Sequence, residues 1–172
     1  MSKEPVFPTL ALIGLGLIGS SVARAAKQRG LVSTVVGHAR SAETRETAMR
    51  LGFLDRVEAD PAAAVVDADC VMICTPLSAY QAVAKAIAPA LKPGAVVTDV
   101  GSVKGKVMRD LAPLLPDGVA LVPGHPLAGT EHSGPESGFA ELFDGRWCVL
   151  TPDERCPADA VERVARLWRG IC

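Results

Sequence analysis

Along this chain, short runs of consecutive apolar residues alternate with longer segments in which apolar positions recur every three or four residues. The runs at 9–13, 33–37, 71–74, 95–99 and 119–122 lack regular polar alternation, the mark of strands covered on both faces. A short piece at 56–58 is expected to form the third strand in chain order, and 147–150 a further strand after the sixth. The intervening segments predict helices. One spans 20–29 and ends at Gly30; Ser41 is a good N-cap for another through Leu51, which Gly52 stops. Asp60-Pro61 opens a short helix by cap and first-turn proline. A helix over 78–91 ends before Lys92-Pro93-Gly94, Ser102 is expected to cap a helix running to Leu115, and a last helix covers 158–169. Repeated strand–helix units of this kind predict an α/β fold, a mainly parallel sheet with helices on both faces, doubly wound by right-handed crossovers. The expectation is one Rossmann-type domain over 1–172.

Composition narrows the classes. At 172 residues, 49% hydrophobic and 4% aromatic, the chain suits one well-buried domain built from small regular side chains. A net charge of −1 gives no electrostatic case for nucleic acid or an anionic membrane as partner. No signal peptide or transmembrane helix fits the N-terminal residues, whose first apolar run is soon cut by glycines. Five cysteines form no C-x-x-C pair and cannot all pair internally, so reduced thiols in the cytoplasm are expected, with Cys70 and Cys74 in the core. His38, His125 and His132 are not spaced as zinc ligands, and no metal is expected.

The first turn carries the clearest motif. Gly14-Leu15-Gly16-Leu17-Ile18-Gly19 follows a strand and opens a helix, the setting that a dinucleotide fingerprint requires. Gly14 would permit the tight turn, Gly16 the approach of a pyrophosphate and Gly19 the packing of helix on strand. The alternative is a purely structural glycine turn. An acid is expected at the end of the second strand to hold a ribose 2′-hydroxyl, but the chain has Gly37-His-Ala-Arg-Ser41 there. Arg40 and Ser41 are therefore candidates for a 2′-phosphate, and NADP is slightly favoured over NAD. The competing reading leaves Ser41 as a helix cap and Arg40 in solvent.

Three loops are expected to meet at the strands' carboxyl ends: Thr75-Pro76, Gly101-Ser-Val-Lys104 and the stretch 124–134, Gly-His-Pro-Leu-Ala-Gly-Thr-Glu-His-Ser-Gly. That last stretch, read as a loop, puts His125 where α/β folds present reacting groups. A histidine there suits a base that takes the proton of a hydroxyl as hydride leaves its carbon, with a loop-ordering hydrogen bond as the alternative. His38 lies near the adenosine end, and His132 reads as a surface neighbour.

Four motifs occur in order: the Gly14 fingerprint ending in Ser20, Asp99-Val-Gly-Ser-Val-Lys-Gly105, Gly124-His-Pro-Leu-Ala-Gly-Thr-Glu131 and Leu142-Phe-Asp-Gly-Arg-Trp-Cys-Val-Leu-Thr-Pro152. Together they resemble the prephenate/arogenate (cyclohexadienyl) dehydrogenases of tyrosine biosynthesis, over essentially the whole chain. The resemblance implies oxidative decarboxylation of prephenate or arogenate with hydride transfer to NAD(P). By the match, His125 contacts the substrate hydroxyl, Ser102 links that histidine to the nicotinamide, and Glu131 stands at the mouth of the site or orders its loop. Members of the family continue into a helical domain that forms the dimer and binds the substrate's carboxylates. The resemblance thus implies a homodimer for the full-length protein, a monomer for this chain, and an incomplete substrate pocket. Two alternatives remain: another β-hydroxyacid-type dehydrogenase, and a non-catalytic dinucleotide-binding module.

Overall fold

In a computed structural model that describes residues 4–172, the apolar runs become parallel strands because only a sheet covered on both sides buries such runs. The strands are β1 (Phe7–Ile13), β2 (Val32–His38), β3 (Arg56–Glu58), β4 (Cys70–Ile73), β5 (Val96–Asp99) and β6 (Ala120–Val122). They form one six-stranded sheet in the order β3-β2-β1-β4-β5-β6, and every pairing is parallel. The order reverses direction beside β1, so the crevice outside the carboxyl ends of β1 and β4 is the natural ligand position.

Strand period sorts the core into two layers. Leu10 and Leu12 of β1 pack with Met72 on one face, against helix α1 (Leu17–Gln28) and helix α6 (Ala158–Ile171). Ala11 and Ile13 face the other way, with Val71 and Ile73, against α3 (Pro61–Val65), α4 (Tyr80–Ile87) and α5 (Lys104–Leu111). Helix α2 (Ala42–Arg50) adds Ala48 to the first layer. Two caps behave as the sequence predicts. Ser41 Oγ accepts from Thr44 N at 3.3 Å, and Asp60 Oδ1 accepts from Ala62 N at 3.1 Å ahead of Pro61.

Other boundaries move. Helix α1 starts at Leu17 rather than at residue 20, because Gly16 already stands at its N-cap and Leu17 and Ile18 pack against the core. The α-helical parts of α4 and α5 stop short of 91 and 115 and give way to 3₁₀ turns at Ala88–Ala90 and Ala112–Leu114. Pro89 and Pro113 lack the N–H that α-helical bonding needs there. Ser102 caps nothing: Val103 occupies the N-cap of α5, without a side-chain hydrogen bond. Helix α6 continues past 169 through Gly170 to Ile171, since its last carbonyls are satisfied by the Arg29 guanidinium, which also pairs with Asp144. Gly170 packs closely at that crossing: a Cβ there would lie 2.5 Å from Leu31 Cδ2, and the Leu31 side chain would have to turn aside.

The largest departure concerns His125. It sits not in a loop but in a short strand, β7 (Gly124–Pro126), paired antiparallel with β8 (Cys148–Leu150) as a separate two-stranded ribbon. The strand expected at 147–150 therefore does not join the main sheet. The ribbon and its ends leave Leu127, Trp147 and Val149 exposed. All five cysteines are free; Cys70 is buried, and burial pushes its thiol up to about 12, while Cys74 is half-buried against the core. No helix among the described residues is long and apolar enough to cross a membrane.

The segment after the ribbon's first strand folds back onto α1. Phe139 N donates to Ser21 Oγ at 3.1 Å, and a Cβ at Gly138 would lie 2.0 Å from Ser20 Oγ and 3.0 Å from Ser21 N. Gly138→Ala is therefore expected to cost about 1–3 kcal/mol by overpacking, read as a lower midpoint in urea denaturation.

Candidate active site

The glycines of the first turn divide their work by geometry. Gly14 has φ of 105°, and a Cβ on it would lie 2.8 Å from the carbonyl atoms of Cys74. Gly19 packs its helix so closely that a Cβ would come within 2.2 Å of Gly14 O. Gly16 meets nothing within 4 Å, so its missing side chain leaves open space in front of the helix start. Among the described residues no side chain caps α1, and its first turn holds no acid, which leaves its first N–H groups and its positive dipole end open to an anion.

These glycines floor a cleft of about 580 Å³ that runs over the carboxyl ends of β1, β2 and β4. Ala79, Val83 and Ala86 give it an apolar wall, which suits a flat heterocycle. Thr75 Oγ1, on a residue lining this cleft, is buried and has no hydrogen-bond partner among the described residues, the kind of group a ligand satisfies. The residues present fit a dinucleotide. Cys74 lies in the same wall, and burial pushes its thiol far above the ordinary range, so it is protonated and unreactive.

At the cleft's far end stand His38, Ala39 and Arg40. Arg40 is exposed and forms no ion pair among the described residues, whereas Arg45 Nη1 holds the carbonyls of Ala39 and Arg40 at 2.7 and 2.8 Å. That tether orders the segment carrying Arg40, and nothing in local sequence pattern announces it. Ser41 Oγ serves as the α2 cap described above, which leaves its hydroxyl proton free to donate.

The opposite end is organised by Asp99, a fully buried carboxylate at the end of β5. Its Oδ1 accepts from Lys104 Nζ at 2.7 Å and from Gly124 N at 3.1 Å. Its Oδ2 accepts from Tyr80 OH at 2.9 Å, Gly101 N at 2.8 Å and Lys104 Nζ at 2.7 Å. Lys104 Nζ also donates to Gly124 O at 2.6 Å. Burial lowers the Lys104 pKa against the pull of Asp99, and burial together with Asp99 pushes the Tyr80 phenol far up, so the phenol keeps the proton it donates. The loops after β4, β5 and β6 thus do converge, through Asp99 and Lys104 of the second motif and through Tyr80, which no motif contains. A lone acid closing a buried apolar strand, five residues before a lysine, was the available signal, because such a charge needs partners.

His125 is the residue after the doubly held Gly124, opposite Val149 in the ribbon, and half-buried. Gly124 packs tightly: a Cβ would lie 3.1 Å from Asp99 O and 3.3 Å from Leu150 Cδ2, so those neighbours would have to give by a few tenths of an ångström. Ser102 is exposed on the loop pinned by Asp99 to the same edge. Glu131 lies farther along, exposed, 3.5 Å from the His132 imidazole. Neither the Ser102 hydroxyl nor the Glu131 carboxylate bonds His125 among the described residues. No group of three His, Cys, Asp or Glu side chains able to hold a metal occurs among the described residues.

Lys104→Met would leave the Asp99 charge buried with only neutral donors. The expected cost is about 3 kcal/mol, the lower end for a broken buried pair because Lys104 keeps some contact with water. Urea denaturation measures it.

Comparison with known proteins agrees with this geometry. Residues 22–172 match the family model described as "Prephenate dehydrogenase, nucleotide-binding domain". A cyclohexadienyl dehydrogenase from Zymomonas mobilis is 46% identical over 166 residues, covering 96% of this chain and 56% of the relative. The prephenate dehydrogenase of Bacillus subtilis is 33% identical, covering 94% of this chain and 44% of the relative. The crystal structure of prephenate dehydrogenase from A. aeolicus in complex with hydroxyphenyl propionate and NAD+ superposes with a TM-score of 0.87 at 32% identity, over 99% of this chain and 58% of that one. Synechocystis arogenate dehydrogenase gives 0.87 at 29% identity, over 95% and 56%. The chain thus spans about half the length of the relatives it matches. The family match over 22–172 covers most of the chain, which therefore belongs to the family of prephenate dehydrogenase nucleotide-binding domains.

Proposed function

We propose that this chain is the cofactor-binding domain, over 1–172, of a cytoplasmic dehydrogenase that oxidatively decarboxylates prephenate or arogenate with NAD or NADP. The carrying observation is the glycine floor: Gly14 and Gly19 admit no Cβ, while Gly16 faces open space at an uncapped helix start. That arrangement suits a pyrophosphate, held by the backbone of residues 14–19 with Leu15, Leu17 and Ile18 as spacers. Thr75 and Pro76 lie against the nicotinamide half, and the Thr75 hydroxyl gains a partner there. Arg40, exposed and free of any ion pair among the described residues, takes a 2′-phosphate with Ser41 as a donor, so NADP is accepted alongside NAD.

When bound, the nicotinamide supplies the hydride-accepting carbon. The chain's own part is proton chemistry and positioning. His125 takes the proton of the substrate's hydroxyl as the ring carbon loses hydride and carbon dioxide departs. The Ser102 hydroxyl, on the loop tied to Asp99, orients that imidazole, and Glu131 borders the entrance. The substrate's carboxylates and the homodimer contacts belong to the half that relatives carry and this chain does not span.

Titration calorimetry with NAD and NADP tests the cofactor reading. Both should bind, and Arg40→Ala should weaken NADP by about ten- to a hundredfold while leaving NAD nearly unchanged, the loss of a charge-assisted bond worth ~1.5–3 kcal/mol. Binding of neither would refute it. In a chain extended to the relatives' length, His125→Asn should lower kcat by about 10²–10⁴-fold with cofactor affinity near normal. An unchanged kcat would leave His125 an ordering residue only.

A further inference from the structure

The adenosine end of the cleft holds one titratable group that the proposed reaction does not use. His38 closes β2 and is only 7% exposed, yet it lines the cleft beside Gly16 and Arg40. It is held twice. Its carbonyl accepts from Gly14 N at 2.9 Å, and its Nδ1 lies 3.1 Å from the carbonyl oxygen of Glu58 at the end of β3. A carbonyl only accepts, so in the neutral ring the proton sits on Nδ1 and Nε2 carries a lone pair. A neutral acceptor thus stands at the strand end where a carboxylate commonly receives the ribose 2′-hydroxyl.

We infer that His38 is a specificity-determining residue of the dinucleotide site: neutral, it accepts a hydrogen bond from a free ribose hydroxyl, and protonated, it pairs with a ribose phosphate. The inference rests on the dinucleotide reading above. A carboxylate at this position repels a phosphate at every working pH, whereas a neutral imidazole carries no charge to repel it and a protonated one attracts it.

The surroundings set which state the free protein holds. Burial lowers the His38 pKa below its ordinary value of 6.5, opposed by the bond to Glu58; Arg45 of α2 lowers it further and Asp60 ahead of α3 raises it. Arg40 lines the same cleft, and the Glu58 carboxylate is taken by Arg56 at 3.2 Å. The ring is therefore neutral at pH 7 and presents the lone pair that favours NAD. A bound 2′-phosphate raises the imidazole pKa, so NADP binding takes up a proton. Its affinity relative to NAD then rises as pH falls from the raised value towards the lowered one.

The test is calorimetry of the 172-residue chain with NAD and with NADP between pH 8 and 5.5, for the parent and for His38→Asn. Asparagine keeps a donor for the Glu58 carbonyl and lacks Nε2. The 2′-phosphate itself titrates near ~6, so the variant supplies the baseline for that change. The ratio of NADP to NAD dissociation constants in the parent should fall about tenfold relative to the variant across this range, equivalent to a one-unit rise in the imidazole pKa. At pH 8 the variant should bind NAD about three- to tenfold more weakly. Should the variant fail to fold, the parent still decides the matter by NMR: the His38 ring pKa should rise on adding NADP and not on adding NAD. Identical pH courses for parent and variant, or a ring pKa indifferent to NADP, would overturn the inference while the dinucleotide reading stood. Failure of the parent to bind either dinucleotide would overturn both.

Discussion

The Asp99 carboxylate is the constraint on which the reacting edge depends. Its two oxygens take hydrogen bonds from Tyr80, Gly101, Lys104 and Gly124, which come from α4, the loop after β5, the start of α5 and the start of β7. An ionised carboxylate with no water beside it is tolerable only when its acceptor sites are filled by well-placed donors, one of them charged. Such a pair adds little net stability over an apolar replacement, because desolvation offsets most of the attraction. What it supplies is position. The four donors can be satisfied together only when the segments carrying them meet in one arrangement, and that arrangement fixes the strand bearing His125.

The cofactor edge reaches the same precision by removing atoms. Gly14, Gly19 and Gly138 each stand where a Cβ would strike backbone or a short side chain, and all three contacts involve the first turn or the helix it opens. Close approach seats α1 tightly over β1 and β4, so its uncapped N-terminus opens on the cleft. The two core layers hold this in register: Leu10 and Leu12 anchor one side of β1, Ala11 and Ile13 the other. The crevice is therefore a consequence of strand order, and its chemistry a consequence of which side chains are absent.

Sequence legibility followed the range of each interaction. The parallel strands, the Ser41 and Asp60 caps and the glycine fingerprint could be read because each depends on neighbours within a few residues. Of the ribbon, β8 is legible as the strand expected at 147–150, but β7 and the pairing are not: the strands are three residues each and meet across the long segment that folds onto α1. Residue type points to Ser102 as a cap, but the pinned Gly101 loop delays the helix until Lys104. The roles of Lys104, Tyr80, Arg45 and Arg29 arise from tertiary meetings that no spacing rule reports.

The two ends of the cleft handle buried polarity in opposite ways. At the Asp99 end both carboxylate oxygens are filled by protein donors, one of them charged. At the His38 end, among the described residues only Nδ1 is spent, on a carbonyl, which leaves the second nitrogen as an unspent group beside an arginine without an ion pair there. Rigid placement is useful where atoms must react. An unfilled valence is useful where a ligand must be chosen, because the ligand then completes the hydrogen bonding and its own chemistry decides the strength of binding. The Thr75 hydroxyl, buried and without a partner between these two ends, belongs to the second kind. Within the cleft the unfilled Thr75 hydroxyl contrasts with the filled Asp99 carboxylate, which frames the neighbouring loops.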